Sequence, residues 1–515
     1  MKHNKLFRWS LIVLGSIIVI FALIIGGLLL KSSMEISSLS KLKLEDSPTA
    51  KYTNHMPEND EIFSWVEKLT KMGVRLPGTK AHEEAVNFVK SKFEEFKLEN
   101  VHTESADTIL WTASEWGLKV SGKTIDSYFM THSFDTGNMG AFATPDGGLN
   151  SEIVYVGEGT ENDFKKIDVK GKIVVADVEM GSVPTGLAKL AGHLYYDPNK
   201  TLSLFSSRID PYSANTYPDN YYNALNNGAV GFVGILSNYI ESNQFNNEDY
   251  SYLNGPMKIP GLWISKSAGK QVKEMIAKGS TDASITLVGE RKTVQGSAVV
   301  AYLPGKSKET ILVHSHHDSS TPGGVEDASG TSVVLALAKF YSQIPQEDRE
   351  KTIIFTTMDT HFTGYQVHDE FIANHLQGQD NILVDVAVEH IAKEVVEDEN
   401  GNIEFTGEVE PRVVFISDAD SLIDITKEEI VRHRLDRSMI LPATLLGDEV
   451  PTDADSFYHS DVPIISLVSG PIYLYDNMDT LDKVAKEELQ PTTETFADII
   501  WRLCGLPAEK FKSND

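Results

Sequence analysis

Histidine and carboxylate residues recur at the ends of apolar runs in this sequence, a combination that can hold divalent cations. The run Thr310-Ile311-Leu312-Val313 ends in His314-Ser315-His316-His317-Asp318-Ser319, and a Gly-Pro loop then leads to Gly324-Val325-Glu326-Asp327-Ala328-Ser329-Gly330. Met358-Asp359-Thr360-His361 closes a second run, and a third contains Asp385 and ends in Glu389-His390. Around the last run lie Asp453, Asp455 and His459, then Tyr475-Asp476-Asn477-Met478-Asp479-Thr480. The single cysteine, Cys504, excludes an intrachain disulfide, a cysteine zinc site and an iron–sulfur cluster. It ends an amphipathic helical pattern and reads as a buried thiol. Imidazole and carboxylate donors without thiolates suit zinc, manganese or cobalt. Two such ions sharing a carboxylate would hold and ionise a water, which is hydrolytic chemistry.

Each group also has a plainer reading. Asp327 and Ser329 precede a helix and are ordinary helix caps. His361 or His390 alone reads as a surface or packed histidine, and His314 and His317 as neighbours of a ligand. Glu389 carries more weight, because a carboxylate in an apolar run is costly to bury unless paired or metal-bound. Packing alone explains poorly why several separate runs end in the same donor types. No Gly-x-Ser-x-Gly elbow follows a strand, and no Gly-x4-Gly-Lys-Ser/Thr loop is present.

These residues need a frame. After 288 the pattern alternates: strands at 310–314, 352–357, 382–391 and 463–468, helices at 330–341, 365–375 and 491–503. Alternation of this kind predicts a mainly parallel sheet covered on both faces, with ligands at the carboxyl ends of its strands. Ile62, Trp65, Val66 and Leu69 recur at helical spacing. Gly73-Val74-Arg75-Leu76-Pro77-Gly78-Thr79 interrupts them, and Thr79 can cap a second helix. From 106 to 288 short β-type runs alternate with Gly and Asn turns, and 197–220 reads as irregular. Residues 32–58 read as a polar stalk. Leu11 to Leu30 is apolar, broken only by Ser16 and glycines, with Lys2, Lys5 and Arg8 before it and Lys31 after it. Twenty residues at helical rise span about 30 Å, so the run predicts a single-pass anchor in the cell membrane. The charge bias puts the N-terminus in the cytoplasm and the main domain outside. A cleaved signal peptide is the alternative, but Leu28-Leu29-Leu30-Lys31 is not a small-residue cleavage site.

Length and charge set outer bounds. The 515 residues predict two or three folded units. Hydrophobic residues at 41% and charged residues at 23% argue against wholesale disorder, collagen and coiled coil. Lysine plus arginine minus aspartate plus glutamate is 46 − 74 = −28, which repels phosphate backbones and argues against nucleic-acid partners.

His316-His317-Asp318-Ser319 followed by Gly324-Val325-Glu326-Asp327-Ala328-Ser329-Gly330 resembles the metal-binding signature of the twenty-eighth metallopeptidase family. This family comprises zinc-dependent aminopeptidases and glutamate carboxypeptidases. Gly73-Val74-Arg75 with Gly78-Thr79 resembles its N-terminal entry, and Asp479-Thr480-Leu481-Asp482-Lys483-Val484 its C-terminal end. Asp163-Phe164, Gly171-Lys172-Ile173 and Asn227-Gly228-Ala229 resemble the protease-associated (PA) domain that such enzymes often carry as an insert. The resemblance covers about 60 to 506. It implies an α/β fold: a mainly parallel mixed sheet sandwiched by helices, with an inserted β-rich PA-like domain. The layout it implies is a tail (1–10), an anchor (11–30), a stalk (31–58), a discontinuous peptidase-like domain (59–105 and 289–508) and an insert (106–288).

By the same resemblance, His316 binds metal and Asp318 orients it. The bridging position falls on Glu326, or on Asp327 in its place. Asp359 and Glu389 are further ligands, and the last ligand position falls on Tyr475 with Asp476 beside it. The family's general base falls on Met358, which cannot accept a proton, and His361 is the substitute base or ligand. The implied activity is exopeptidase hydrolysis of peptides with two divalent ions, zinc by resemblance, at an altered site. The alternative is an inactive homologue that binds peptides or acts as a scaffold.

Overall fold

The computed structural model describes residues 46–512 apart from 204, 247–254, 377–379, 400 and 448. Helix α1 (Asn59–Thr70) buries Ile62, Trp65, Val66 and Leu69, and α2 (Lys80–Glu95) starts at Thr79, whose hydroxyl accepts from the His82 N–H at 3.2 Å. Two 22-residue strands, β1 (Glu99–Val120) and β2 (Asp282–Leu303), pair antiparallel along most of their length. Then come β3 (Glu309–His316), α3 (Gly330–Ser342), β4 (Thr352–Met358), α4 (Gln366–His375) and β5 (Asn381–Val388). They are followed by β6 (Arg412–Ile416), α5 (Asp420–Arg432), β7 (Ser438–Pro442), β8 (Ile464–Ser469) and α6 (Lys486–Gly505).

The sheet runs β2-β4-β3-β5-β8-β6-β7. Its centre, β4-β3-β5-β8, is parallel, while β2 and β6 join antiparallel. Both faces are covered, which is why the central strands read as unbroken apolar runs. Ile311, Val313, Phe355 and Val386 belong to the core shared with α3; Leu312, Ile354, Met358 and Ala387 belong to a second core with Phe371 and Phe457. The carboxyl ends of β3, β4 and β5 line up, with His316 beside Met358.

The middle third forms strands 149–155, 173–178, 231–236 and 261–265, paired parallel and flanked by the helices Asp219–Asn226 and Lys266–Ala277. Helices therefore share this region with its strands. The expected insert limits, 106 and 288, fall inside β1 and β2, and β2 continues the sheet by pairing with strand 149–155. The stretch read as irregular contains the strand Ser207–Ala214, paired with Met180–Pro184.

One expectation is corrected. The cell-membrane localisation does not stand: among the described residues, no helix is long and apolar enough to cross a membrane. The Leu11–Leu30 run that motivated it lies outside the described residues. The end of the expected stalk packs on the body instead. Thr49 and Ser47 hydrogen-bond Asp498 of α6, and the Tyr52 ring is buried against Trp501.

Candidate metal centre

Strand alternation puts His314 and His316 on one face of β3, and the chain then loops back through Glu326. A buried arginine holds that loop. The Arg75 guanidinium donates to the carbonyls of His317 (3.0 Å), Pro322 (2.9 Å) and Gly323 (3.1 Å), which gives the Gly73-Val74-Arg75 motif its role. Asp479 accepts from the Val325 and Glu326 N–H groups at 2.9 Å, and the Glu326–Asp327 peptide is cis. Gly330 opens α3 where no side chain fits: a Cβ there would lie 2.3 Å from both Asp327 Oδ2 and the Val388 carbonyl.

Three imidazoles meet at the Glu326 carboxylate. His316 Nε2 lies 3.2 Å and His361 Nε2 3.6 Å from Oε1, and His390 Nε2 lies 2.6 Å from Oε2. The His316 and His361 rings stack at 4.0 Å. On each ring the other nitrogen is held by an acceptor. His316 Nδ1 faces the Asp318 carbonyl and carboxylate (3.2 Å each), His361 Nδ1 faces Asp453 (2.6 Å), and His390 Nδ1 faces the Ser469 carbonyl (2.9 Å). We assign the proton to Nδ1 in all three, because an acceptor stands there. The Nε2 lone pairs then point at the common centre.

Despite their closeness, His316 Nε2, His390 Nε2 and both Glu326 oxygens make no hydrogen bond among the described residues. Buried polar atoms that converge without bonding one another fit a cation between them. Nitrogen donors with one carboxylate match zinc or a similar transition ion.

Charge supports the same assignment. Burial alone would raise Glu326, but His390 and His316 hold it well below the ordinary carboxylate range. Burial opposes the charged form of His390, yet Glu326, Asp327 and Glu389 raise it to about 9. His316 is likewise raised, by Asp453, Asp318 and Glu326 against its burial.

The other expected residues distribute unevenly. Asp318 lies against His316, with its carboxylate 3.2 Å from Nδ1. Glu389 is buried and accepts from the Asp453 N–H at 3.2 Å; burial, Asp453 and Asp327 push its carboxyl well above the usual range. Both oxygens of Asp327 are engaged, with Ser315, the Gly330 N–H and the His390 N–H, so it supports the loop. Asp359 belongs to a neighbouring cluster: it pairs with His82, accepts from the Ser297 N–H at 2.7 Å and lies 3.7 Å from His317 Nε2. It points there because β4 ends at Met358, whose side chain packs in the second apolar core. Asp476 accepts from the Met478 N–H at 2.8 Å, and Tyr475 is buried among Phe362, Phe245 and Tyr212. His361, foreseen as base or ligand, has its Nε2 3.6 Å from Glu326 Oε1.

Sequence reasoning did not select His390 and Asp453. His390 follows Glu389 with φ of +57°, and this left-handed turn brings its ring back over the centre. Asp453 lies in the Thr452-Asp453-Ala454-Asp455 segment before β8. The acidic segment ahead of that strand was the available signal.

A sequence profile of peptidase family M28 matches residues 298–500. Leucine aminopeptidase 1 of Metarhizium robertsii is 26% identical over 110 residues, covering 20% of this chain and 28% of that protein. The match thus spans little more than a quarter of that curated relative. Among solved structures, a peptidase M28 precursor from Shewanella amazonensis superposes with a TM-score of 0.62 at 19% identity, covering 86% of this chain and 92% of that one. A zinc aminopeptidase from Bacillus subtilis gives 0.60 at 16% identity, covering 89% and 99%. The aminopeptidase from Aneurinibacillus sp. strain AM-1 gives 0.56 at 18%, covering 86% and 93%. These structures share the fold, and the M28 profile runs from the end of β2 into α6 and includes every residue of the histidine centre.

Proposed function

We propose that this protein is a metal-dependent exopeptidase of the aminopeptidase type, acting on peptide substrates. The reading rests on the convergence of three imidazole Nε2 atoms on the Glu326 carboxylate, with each Nδ1 held by an acceptor. The named activities of the Bacillus subtilis and Aneurinibacillus proteins support it. A zinc ion held there would act as a Lewis acid and lower the pKa of a bound water. His316, His361, His390 and Glu326 are its ligands; Asp318, Asp453 and the Ser469 carbonyl fix the three rings. Asp359 and Asp476 lie outside this ligand set. Met358 brings no proton acceptor, and the Glu389 carboxyl beside Asp453 is pushed well above the usual range by burial, Asp453 and Asp327.

The insert supports a preference for chain ends. Tyr212, on strand 207–214, reaches the Ser469 carbonyl at 3.0 Å and His390 Nδ1 at 3.1 Å, and the Asn246 N–H donates to the Tyr475 carbonyl at 2.8 Å. In this reading the middle region, which reaches His390 through Tyr212, restricts substrates to peptide ends. The expected result is release of N-terminal residues from short unblocked peptides, abolished by a chelator, restored by zinc and absent with N-acetylated peptides. Metal-loaded protein that leaves both peptides intact would overturn the reading. It would favour the second one, a peptide-binding homologue without turnover, to which buried Met358 already points.

A further inference from the structure

A second buried cluster lies one step inside the first. His314 on β3, His368 on α4 and Asp453 each offer a donor atom within 4.8 Å of the others, and all three side chains are fully buried. We infer that the structure holds a second transition-metal site here, built from His314, His368 and Asp453 and distinct from the Glu326 centre.

The hydrogen bonds leave the donors vacant on the side that faces the cluster. His314 Nε2 lies 3.0 and 3.1 Å from the two Asp385 oxygens, so its proton belongs on Nε2 and the lone pair on Nδ1. His314 Nδ1 has no hydrogen-bond partner among the described residues, and neither has either ring nitrogen of His368. Asp453 Oδ1 takes His361 Nδ1 and the Tyr365 hydroxyl, while its Oδ2 has no partner. Thr356 is in register with His314 on the next strand, and its hydroxyl is also unsatisfied. Isolated orphans of this kind are uncommon in buried regions, and several in one place call for an occupant.

The walls narrow the choice of occupant. The Phe457 ring centre lies 5.2 Å from that of His314, and the Tyr365 ring stands 4.7 Å from that of His368. Two nitrogens and one carboxylate oxygen in an apolar shell suit zinc or cobalt and not magnesium or calcium, which require mostly oxygen ligands. Asp453 joins the two centres, with one oxygen on the inner site and the other on His361. An ion on the inner site fixes Asp453 and through it the His361 ring, so the inner site is a positioning site for the outer one. The inference stands whether or not the protein hydrolyses peptides.

The test counts metal on the full chain after stripping with a chelator and reloading with Zn²⁺ or Co²⁺. Wild type is expected to hold one equivalent more than His368→Phe, which keeps a ring in the space. His316→Ala is expected to lose a different equivalent, and the double variant both. Cobalt absorption bands of the inner ion should survive His316→Ala and vanish in His368→Phe. Asp385→Asn, a milder change, should weaken one equivalent by about 10- to 100-fold. Full metal content and unchanged cobalt bands in His368→Phe would overturn the inner site and leave water as its occupant. Loss in His368→Phe with none in His316→Ala would support the inner site and count against the outer one alone.

Discussion

Asp318 illustrates how one side chain controls a centre it does not enter. Its carbonyl and carboxylate take the His316 Nδ1 proton and so aim Nε2 at Glu326. Replacing it by alanine leaves the backbone carbonyl but removes the charged acceptor. Asp318→Ala is therefore expected to weaken metal binding about 10- to 100-fold while the protein stays folded. Competition with a chromophoric chelator measures this, and unchanged affinity would remove Asp318 from the centre. His390→Ala removes a donor outright and should weaken binding more than Asp318→Ala in the same assay. At this scale the sequence was readable where residues are close along the chain: His316, Asp318 and Glu326 all lie on one strand end and its loop. It was unreadable where backbone direction decides. Nothing in the letters says that Thr360 and His390 adopt left-handed conformations, yet these turns precede or carry two of the three imidazoles. Asp359 falls in the cluster with His82 and His317 for the same reason, since its direction depends on where β4 ends.

Elements decide whether these residues meet at all. The loop from His317 to Gly323 turns carbonyls inward, and Arg75 satisfies them from the α1–α2 connection. Burial pulls this guanidinium down to about 10, so it remains charged at neutral pH. Arg75→Met keeps the volume but strands those carbonyls. A loss of about 3–5 kcal/mol is expected, read as a lower denaturant midpoint, with reduced metal content in the protein that remains folded. Gly330→Ala tests the other side of the loop. Its Cβ has no room against Asp327 and Val388, and crowding of this kind costs about 1–3 kcal/mol. An unchanged midpoint would show that the start of α3 yields. The central strands and α3 were legible because burial on both faces writes itself as continuous apolar sequence. The strand 207–214 was not, because its Tyr, Ser and Asp content resembles a loop, and its pairing with 180–184 supplies what composition lacks. Helix α6 begins at Lys486, five residues before the Pro491 that marked its expected start. Proline is commonest at the first helical position, and here it lies within the helix.

Across the whole molecule, the N-terminal segment, α5 and α6 converge on one partly buried ion cluster distinct from the histidine centre. His433, at the carboxyl end of α5, lies 2.8 Å from Asp498 and 3.6 Å from Glu494, both on α6, and Asp498 also accepts from Thr49 at 2.6 Å. No sequence pattern announced this link, since His433 lies 65 and Thr49 449 positions from Asp498. Burial works against the imidazolium, but Asp498 and Glu494 raise His433 from 6.5 to about 9. A cation there also suits the helix end. Because the folded value exceeds the unfolded one, this stabilisation is complete below about pH 6.5 and disappears as the pH rises through about 9. Asp498 works in the opposite sense. Burial would raise it, yet His433, Thr49 and Ser47 lower it, so its contribution is present above its ordinary value of 3.8 and is lost as the pH falls below that. The cluster is thus strongest between about pH 4 and 6.5. Its His433 part is on the order of 3 kcal/mol, from the upward displacement alone. Comparing thermal midpoints of wild type and His433→Gln should show a constant gap between about pH 4 and 6.5 that closes by about pH 9. A gap that persists at pH 10 would mean that shape and hydrogen bonding, rather than the charge on His433, tie the N-terminal segment, α5 and α6 together.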